Sequence, residues 1–149
     1  MSFNTPQDIP EILSYIFNEL ATTSIMALET IKISVQSSTS CLACLSERNS
    51  EHSTFILQLP MSRSVQRSID LYLAAEPLQS NTMCCSGTQV LTSNKIHSCG
   101  RYLIIQLNRF MTDSDGACVK DVRKIDVPVD KLDLPISVDS DVPYTKSFI

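Results

Sequence analysis

The chain has 149 residues and a mass of 16.6 kDa, with 43% hydrophobic and 19% charged residues. A domain of this size can bury about two-thirds of its unfolded surface, and this composition favours a packed core over a disordered chain. The net charge is −4, and the 12 Lys and Arg residues are scattered along the chain. We therefore expect no nucleic-acid partner, because phosphate contacts require clustered cations.

Targeting features are also missing from the sequence. No run approaches the roughly 20 apolar residues of a membrane helix, so we expect no membrane partner. The opening residues, MSFNTPQDIP, lack the basic and apolar regions of a secretory signal, which predicts an intracellular protein of the cytoplasm or nucleus. The six cysteines are then expected to be reduced thiols.

The first predicted element is an amphipathic helix. Thr5 is a candidate N-cap, and Pro6 and Pro10 fall in the first turn, where N–H groups have no partner within the helix. Such a helix needs a partner for its apolar face elsewhere in the fold. The residues that share this face, at intervals of three and four, are Ile9, Ile12, Leu13, Ile16, Phe17 and Leu20.

Two strands and a second helix are predicted next. Alternation of apolar and polar residues predicts half-buried strands over residues 31–35 and 55–59, the second ending at Pro60. Residues 65–73 return to helical spacing, and Pro77 closes that segment.

The strongest strand pattern is RYLIIQLNRF at residues 101–110. Its nearly continuous apolar run predicts a strand buried on both faces. We expect a turn over residues 112–116, a more exposed strand over 119–129 and a polar loop from Asp139 onward. Because helices and strands do not alternate regularly, these elements favour the α+β class.

Five segments of the sequence resemble, in order, segments of the ubiquitin-specific protease family of cysteine deubiquitinases. They are similar to the family's Gln-Asp helix, the first cysteine pair of its fingers, the run before the second pair, a Lys followed by an apolar strand, and a proline-bounded Leu-Asp-Leu strand. The segments are QDIPEILSYIFNEL (7–20), CLAC (41–44), EPLQSNTMCC (76–85), Lys95 with RYLIIQLNRF (101–110), and DVPVDKLDLP (126–135).

The resemblance implies an incomplete papain-like cysteine-protease domain of the α+β class. Residues 1–22 would form a helix beside the cleft, 30–95 a β-rich fingers-like insertion, 96–138 strands of the palm's antiparallel sheet, and 139–149 a polar tail. The family's Cys box and its Gly-His-Tyr box have no counterpart in these residues. We therefore expect no catalytic residue in the chain and no turnover by it alone.

Cysteines also suggest a metal site. The C-x2-C pair of Cys41 and Cys44 can aim two thiolates at one metal from a tight turn. The resemblance implies Cys85 and Thr88 as the remaining positions, which makes the structural zinc site at Cys41, Cys44 and Cys85 degenerate. Cys84 is an alternative ligand, although adjacent residues of an extended chain point to opposite faces. The other interpretation is a finger without metal, held by hydrogen bonds and small buried thiols.

Gln7 and Asp8 are the residues that the resemblance assigns to ubiquitin. The Asp of the family's helix lies at the cleft and helps to hold the extended C-terminal tail of ubiquitin. A carboxylate at Asp8 can pair with the arginines of that tail through charge-assisted hydrogen bonds. Alternatively, Asp8 only stabilises the helix N-terminus, and the two roles are compatible.

Other residues have weaker assignments. Gln106, Arg109 and Phe110 resemble family positions near the cleft wall, although a phenylalanine is by itself more typical of a core. His97 and Cys99 could share a strand face as a nucleophile and base, but no nearby Asn or Asp orients the histidine. We expect both to be inert strand residues.

These features together predict a cysteine-type deubiquitinase, lacking the catalytic segments, whose partner is ubiquitin or a ubiquitinated protein. No cofactor is required, and the one metal implied is the structural zinc. Two alternatives of other classes stay open. One is a catalytically inactive ubiquitin-binding module, and the other is a small zinc-ribbon-like adaptor.

Overall fold

The computed structural model describes residues 9–23, 28–79, 85, 89–112, 114–128 and 130–137. No helix among them is long and apolar enough to cross a membrane. The helices and strands, in chain order, are α1 (Ile9–Thr23), β1 (Ile33–Cys41), β2 (Glu47–Thr54), β3 (Leu57–Pro60), α2 (Val65–Leu73), β4 (Glu76–Gln79), β5 (Gln89–Cys99), β6 (Ile105–Asn108), β7 (Phe110–Thr112) and β8 (Cys118–Lys120).

The main sheet is antiparallel, with the strand order β2-β1-β5-β4. β1 pairs with β2 on one side and with β5 on the other over almost its whole length. The strand predicted over residues 31–35 is therefore present but shifted and longer, because β1 begins at Ile33 and continues through Ser- and Thr-rich residues to Cys41.

Cross-strand hydrogen bonds between polar side chains extend this sheet beyond its apolar residues. Ser37 Oγ donates to Asn94 Oδ1 at 2.7 Å, and Ser38 Oγ donates to Asn49 Oδ1 at 2.5 Å. Pairs of this kind each contribute about 0.2–1 kcal/mol. Neither β2 nor most of β5 shows the apolar alternation on which strand prediction relies. The sequence therefore does not predict β2, and it predicts only the end of β5, at His97 and Cys99.

The hydrophobic core lies where α2 packs against β3 and β5. Ser64 caps α2 by accepting a hydrogen bond from the Arg67 N–H at 3.1 Å, and the helix buries the apolar face that its spacing predicts. Pro77 lies in edge strand β4 rather than at the helix end, a position that tolerates proline. The buried core residues are Ile33, Val35, Leu57, Leu59, Val65, Ile69, Ile96 and Leu132.

The expectation of one strand over residues 101–110, buried on both faces, is wrong. The structure has strand β6 only at Ile105–Asn108, in parallel with β3, and none of its residues is fully buried. Ile105 and Leu107 pack against the core at half burial, whereas Phe110 is 67% exposed and belongs to β7. Of the apolar run, Ile105 and Leu107 lie in β6, whereas Leu103 and Ile104 precede it without strand structure.

Helix α1 is present as predicted, with its apolar face only partly covered. Ile12, Ile16 and Leu20 are 39%, 43% and 44% exposed. Phe17 makes an edge-to-face contact with Phe55, with ring centroids 5.7 Å apart. Within the described residues, most of the face that needs a partner therefore remains at the surface.

Hydrogen bonds among three residues, Arg109, Asp121 and Arg123, hold the segment after β8 against the end of β6. The Asp121 N–H donates to the Arg109 carbonyl at 2.6 Å, and Arg109 Nη1 donates to the carbonyl of Arg123 at 2.9 Å. The buried carboxylate of Asp121 accepts from Arg123 Nε at 2.9 Å. These side-chain hydrogen bonds from Arg123 are the main reason that the pKa of Asp121 is lowered from 3.8 to about 2.

Acid should weaken the folded state through Asp121. Because the folded-state pKa is lowered, the carboxylate contributes stability that is present above pH 3.8 and is lost as the pH falls through about 2. We expect the free energy of unfolding, measured by urea titration, to fall less steeply across this range in Asp121→Asn than in the unaltered chain. Asp130→Asn, at an exposed position, is the control, and equal slopes in the two variants would contradict the assignment.

Truncating Ile69 should destabilise the fold strongly. Its side chain is fully buried on α2, so Ile69→Ala loses transfer free energy and leaves a cavity that costs about 2–5 kcal/mol in total. Leu71→Ala on the same helix, at a residue 41% exposed, should change the free energy of unfolding far less. Equal losses in chemical denaturation would show that α2 does not bury the face described.

Candidate functional site

A short turn between β1 and β2 holds the C-x2-C pair. The Leu45 N–H donates to the Cys41 carbonyl, and the Cys41 N–H donates to the Ser46 carbonyl, both at 2.9 Å. Leu45 adopts a φ of 60°, in the left-handed region that an L-residue enters at a cost of about 1–2 kcal/mol. The Leu42 N–H donates to the Gln89 carbonyl at 3.1 Å, which ties the turn to the start of β5.

Cys41, Cys44 and Cys85, together called the cysteine cluster, lie side by side. Their sulfur atoms are all within 4.8 Å of one another, and Cys41 Sγ is 3.6 Å from Cys85 Sγ. Cys41 is buried at the end of β1, Cys85 is half-buried, and Cys44 is exposed, with its sulfur 3.1 Å from Ser46 Oγ. The structure therefore brings together the three cysteines that the sequence analysis assigned to a metal.

The cysteine cluster fits three corners of a zinc site. Zn–S bonds of about 2.3 Å in a tetrahedron place neighbouring sulfurs about 3.8 Å apart, close to the 3.6 Å between Cys41 and Cys85. Bound there, zinc would join the end of β1 to the segment before β5. The other positions considered from sequence, Cys84 and Thr88, lie outside the described residues.

A cleft of about 670 Å³ is the second feature of interest. Residues of both helices and of strands β2 to β6 line it, including Ser14 of α1 and His52 of β2. Asn94 is held by both ends of its amide, because Nδ2 donates to the Tyr72 carbonyl at 3.2 Å and Oδ1 accepts from Ser37 Oγ. Burial raises the pKa of Tyr72, so its phenol stays protonated at neutral pH.

The residues assigned to the tail of ubiquitin, Gln7 and Asp8, lie outside the described residues. The helix that follows them directly is described from Ile9, and its Ser14 contributes to the cleft. Their role in binding stays a prediction.

His97 and Cys99, considered from sequence as a base and a nucleophile, both lie in β5. The register between β1 and β5 shifts by one residue at His97. Ser34 of β1 pairs with Ser98, and the next residue, Val35, pairs with Ile96, so His97 has no partner in the register. His97 is exposed, whereas Cys99 packs against the core, so the regular alternation that would align the two is broken.

None of the three residues expected near the cleft wall, Gln106, Arg109 and Phe110, is among the residues that line this cleft. Phe110 is 67% exposed, so it does not fit the alternative of a core residue either. It pairs with Lys120 on the outer hairpin, with the Lys120 Nζ 6.0 Å from its ring centroid. Arg109 is used by the hydrogen bonds at Asp121, and Gln106 Oε1 is buried without a hydrogen-bond partner.

The sequence analysis missed His52, Tyr72 and Asn94 as cleft residues. His52 and Asn94 lie in the polar strands that carry no apolar alternation. Tyr72 was predicted only as part of a helix face. The only feature of the sequence that could have indicated the cleft is the amide side chain of Asn94 within a polar stretch. Its role depends on hydrogen-bond partners in β1 and α2, which the sequence does not reveal.

Comparisons with known proteins address the fold. No protein-family model matches the sequence, and no curated relative matches it. A chain of the SAGA Ubp8/Sgf11/Sus1/Sgf73 DUB (deubiquitinase) module bound to ubiquitin aldehyde matches 84% of this chain at a TM-score of 0.68 and 19% identity. A variant of that module bound to monoubiquitin also matches 84%, at a TM-score of 0.67 and 20% identity.

A third match, to a further variant of the module, has a TM-score of 0.64 and 19% identity over 85% of this chain. The chain spans about a third of the solved chains it matches, between 32% and 34% of their length. These likenesses establish a shared fold that combines helices with antiparallel sheets, in agreement with the predicted mixture of elements.

Metal binding should depend on each member of the cysteine cluster. We expect Co²⁺ to give a thiolate-to-metal absorption band and Zn²⁺ to abolish it by displacement. Because losing a mere supporting residue costs about 10–100-fold in affinity, Cys41→Ser, Cys44→Ser and Cys85→Ser should each weaken binding by about 100-fold or more. Cys118→Ser, at an exposed residue of β8, is the matched control. Unchanged affinity in the cluster variants would refute the assignment.

Proposed function

We propose that this chain is the ubiquitin-binding interior of a cysteine deubiquitinase domain of papain-like type. Residues 1–22 supply the cleft helix, 30–95 the fingers, 96–138 the palm strands and 139–149 a polar tail. The observation that carries the proposal is the shared fold over 84% of the chain with module chains solved with ubiquitin aldehyde or monoubiquitin. We also propose an intracellular location, in the cytoplasm or nucleus, which the reduced thiols of the described cysteines support.

The cleft supports binding of an extended peptide. Its walls combine neutral hydrogen-bonding groups, such as the exposed side-chain amides of Gln58 and Asn108, with the carboxylate of Glu76 and the exposed side chain of Leu78. An extended backbone presents N–H and C=O groups that such a surface can pair. We assign the C-terminal tail of ubiquitin to this cleft, with Gln7 and Asp8 at the start of the cleft helix.

The cysteine cluster supports the same proposal from the far end of the sheet. Strands β2 and β5 start beside the cluster and line the cleft through His52, Thr92 and Asn94. A structural metal would therefore stiffen the wall against which ubiquitin packs, without contact with the reacting bond.

Catalysis requires a thiolate activated by an aligned base. The described cysteines have other surroundings: the cluster holds three, Cys99 packs on the core, and Cys118 lies on an exposed hairpin. We therefore propose that this chain by itself binds ubiquitin and does not hydrolyse it. Hydrolysis of a fluorogenic ubiquitin substrate that alkylation blocks would overturn this point.

Ubiquitin should bind through its C-terminal tail. In a titration of ¹⁵N-labelled ubiquitin, we expect chemical-shift changes concentrated at the tail. Asp8→Asn should weaken binding about tenfold or more, because a hydrogen bond to a charged group contributes about 1.5–3 kcal/mol. Glu19→Gln, an exposed carboxylate on the same helix, is the matched control and should bind as the unaltered chain does.

Two results of this titration would contradict parts of the proposal, one concerning ubiquitin binding and the other the role of Asp8. No shift at millimolar ubiquitin, combined with stoichiometric zinc in the cysteine cluster, would favour the zinc-ribbon-like adaptor, which the sulfur geometry also permits. Binding that is unaffected by Asp8→Asn would limit that residue to stabilising the helix N-terminus.

A further inference from the structure

The cysteine cluster contains one pair of sulfurs in direct contact. Cys41 Sγ and Cys85 Sγ are 3.6 Å apart, and a disulfide bond is about 2.05 Å long, so an approach of about 1.5 Å would join them. The two residues are 44 positions apart in sequence, so a bond between them would connect distant segments rather than close a small turn.

We propose that Cys41 and Cys85 form a reversible disulfide under oxidation by a peroxide, and that this disulfide and metal binding exclude each other. The proposal goes beyond the binding of ubiquitin and does not depend on it. It makes the cysteine cluster a modification site as well as a metal site.

The surroundings of the two sulfurs favour this pair. Cys41 is 3% exposed and sits where β1 pairs with β5 opposite Val90, so its backbone is fixed. Cys85 is half-buried and is therefore the member of the touching pair that a small peroxide reaches. Cys44 lies in the tight turn beside Cys41, whose hydrogen bonds to Leu45 and Ser46 hold it in shape.

The reaction balances without any further reagent. The Cys85 thiolate attacks one oxygen of hydrogen peroxide, the O–O bond breaks, and Cys85 becomes a sulfenic acid as hydroxide leaves and takes up the proton that the Cys85 thiol had released, giving water. The Cys41 thiolate then attacks the Cys85 sulfur, the S–S bond forms, and the S–O bond breaks to release hydroxide, which the proton from the Cys41 thiol converts into a second water. Two thiols are oxidised, and one peroxide is reduced to two waters.

The consequence for metal binding follows from the number of ligands. The disulfide consumes two of the three described thiolates and leaves only Cys44, which cannot hold a structural zinc by itself. Conversely, a thiolate that donates a lone pair to zinc is a weaker nucleophile toward peroxide. The metal-loaded chain should therefore oxidise more slowly than the metal-free chain.

Peptide mapping of the full chain tests the proposal. The reduced, chelator-treated chain is exposed to hydrogen peroxide and analysed by mass spectrometry. We expect a monomer lighter by two hydrogen atoms, with a peptide containing Cys41 linked to one containing Cys85, reversed by a thiol reductant. Oxidised chain should give no Co²⁺ absorption band until it is reduced.

Single variants identify the linked residues, since Cys44 and Cys84 are close in sequence to the proposed pair. Cys41→Ser and Cys85→Ser should each abolish the disulfide, and in Cys41→Ser the Cys85 sulfur should still be oxidised, to sulfenic and then sulfinic acid. Cys44→Ser and Cys84→Ser should retain the linkage. A bond that requires Cys44 or Cys84, sulfinic acids without any disulfide, or undiminished Co²⁺ binding after oxidation would each overturn the proposal.

Discussion

Strand β1 is hydrogen-bonded on both of its edges, to β2 and to β5, from Ile33 to Ser40. At its first residues it is anchored in the core, where Ile33 and Val35 are fully buried against α2 and β3. At its last residue it delivers Cys41 to the cysteine cluster. The register of this strand therefore determines both where the core lies and where the three thiols meet.

The same register shapes the cleft. Ser37 of β1 fixes the amide of Asn94 on β5, which in turn holds the end of α2 through the Tyr72 carbonyl. A change that slipped β1 by one residue would turn its core side chains outward and separate Ser37 from Asn94. Polar side chains thus help to fix the register of the sheet beyond the apolar core.

Sequence reasoning succeeded where a single period dominates the pattern. The helices at residues 9–23 and 65–73 follow from apolar spacing, and the Leu57–Pro60 strand follows from alternation. It failed where tertiary pairing decides: β2 is polar throughout and forms only because β1 supplies its partner. The prediction at 101–110 failed for the opposite reason, since its apolar residues indicate one long strand but only residues 105–108 pair with another strand, β3. The C-x2-C turn was evident in the sequence, but the meeting of Cys85 with Cys41 depends on the fold.

Hydrogen–deuterium exchange measured residue by residue along β1, with and without bound zinc, tests this description most directly. If β1 is anchored separately at its two ends, removing zinc should accelerate exchange near Cys41 and leave the amides of Ile33 and Val35 protected. Equal loss of protection along the whole strand would contradict the description. Unchanged protection at Cys41 would likewise show that the metal does not support that end.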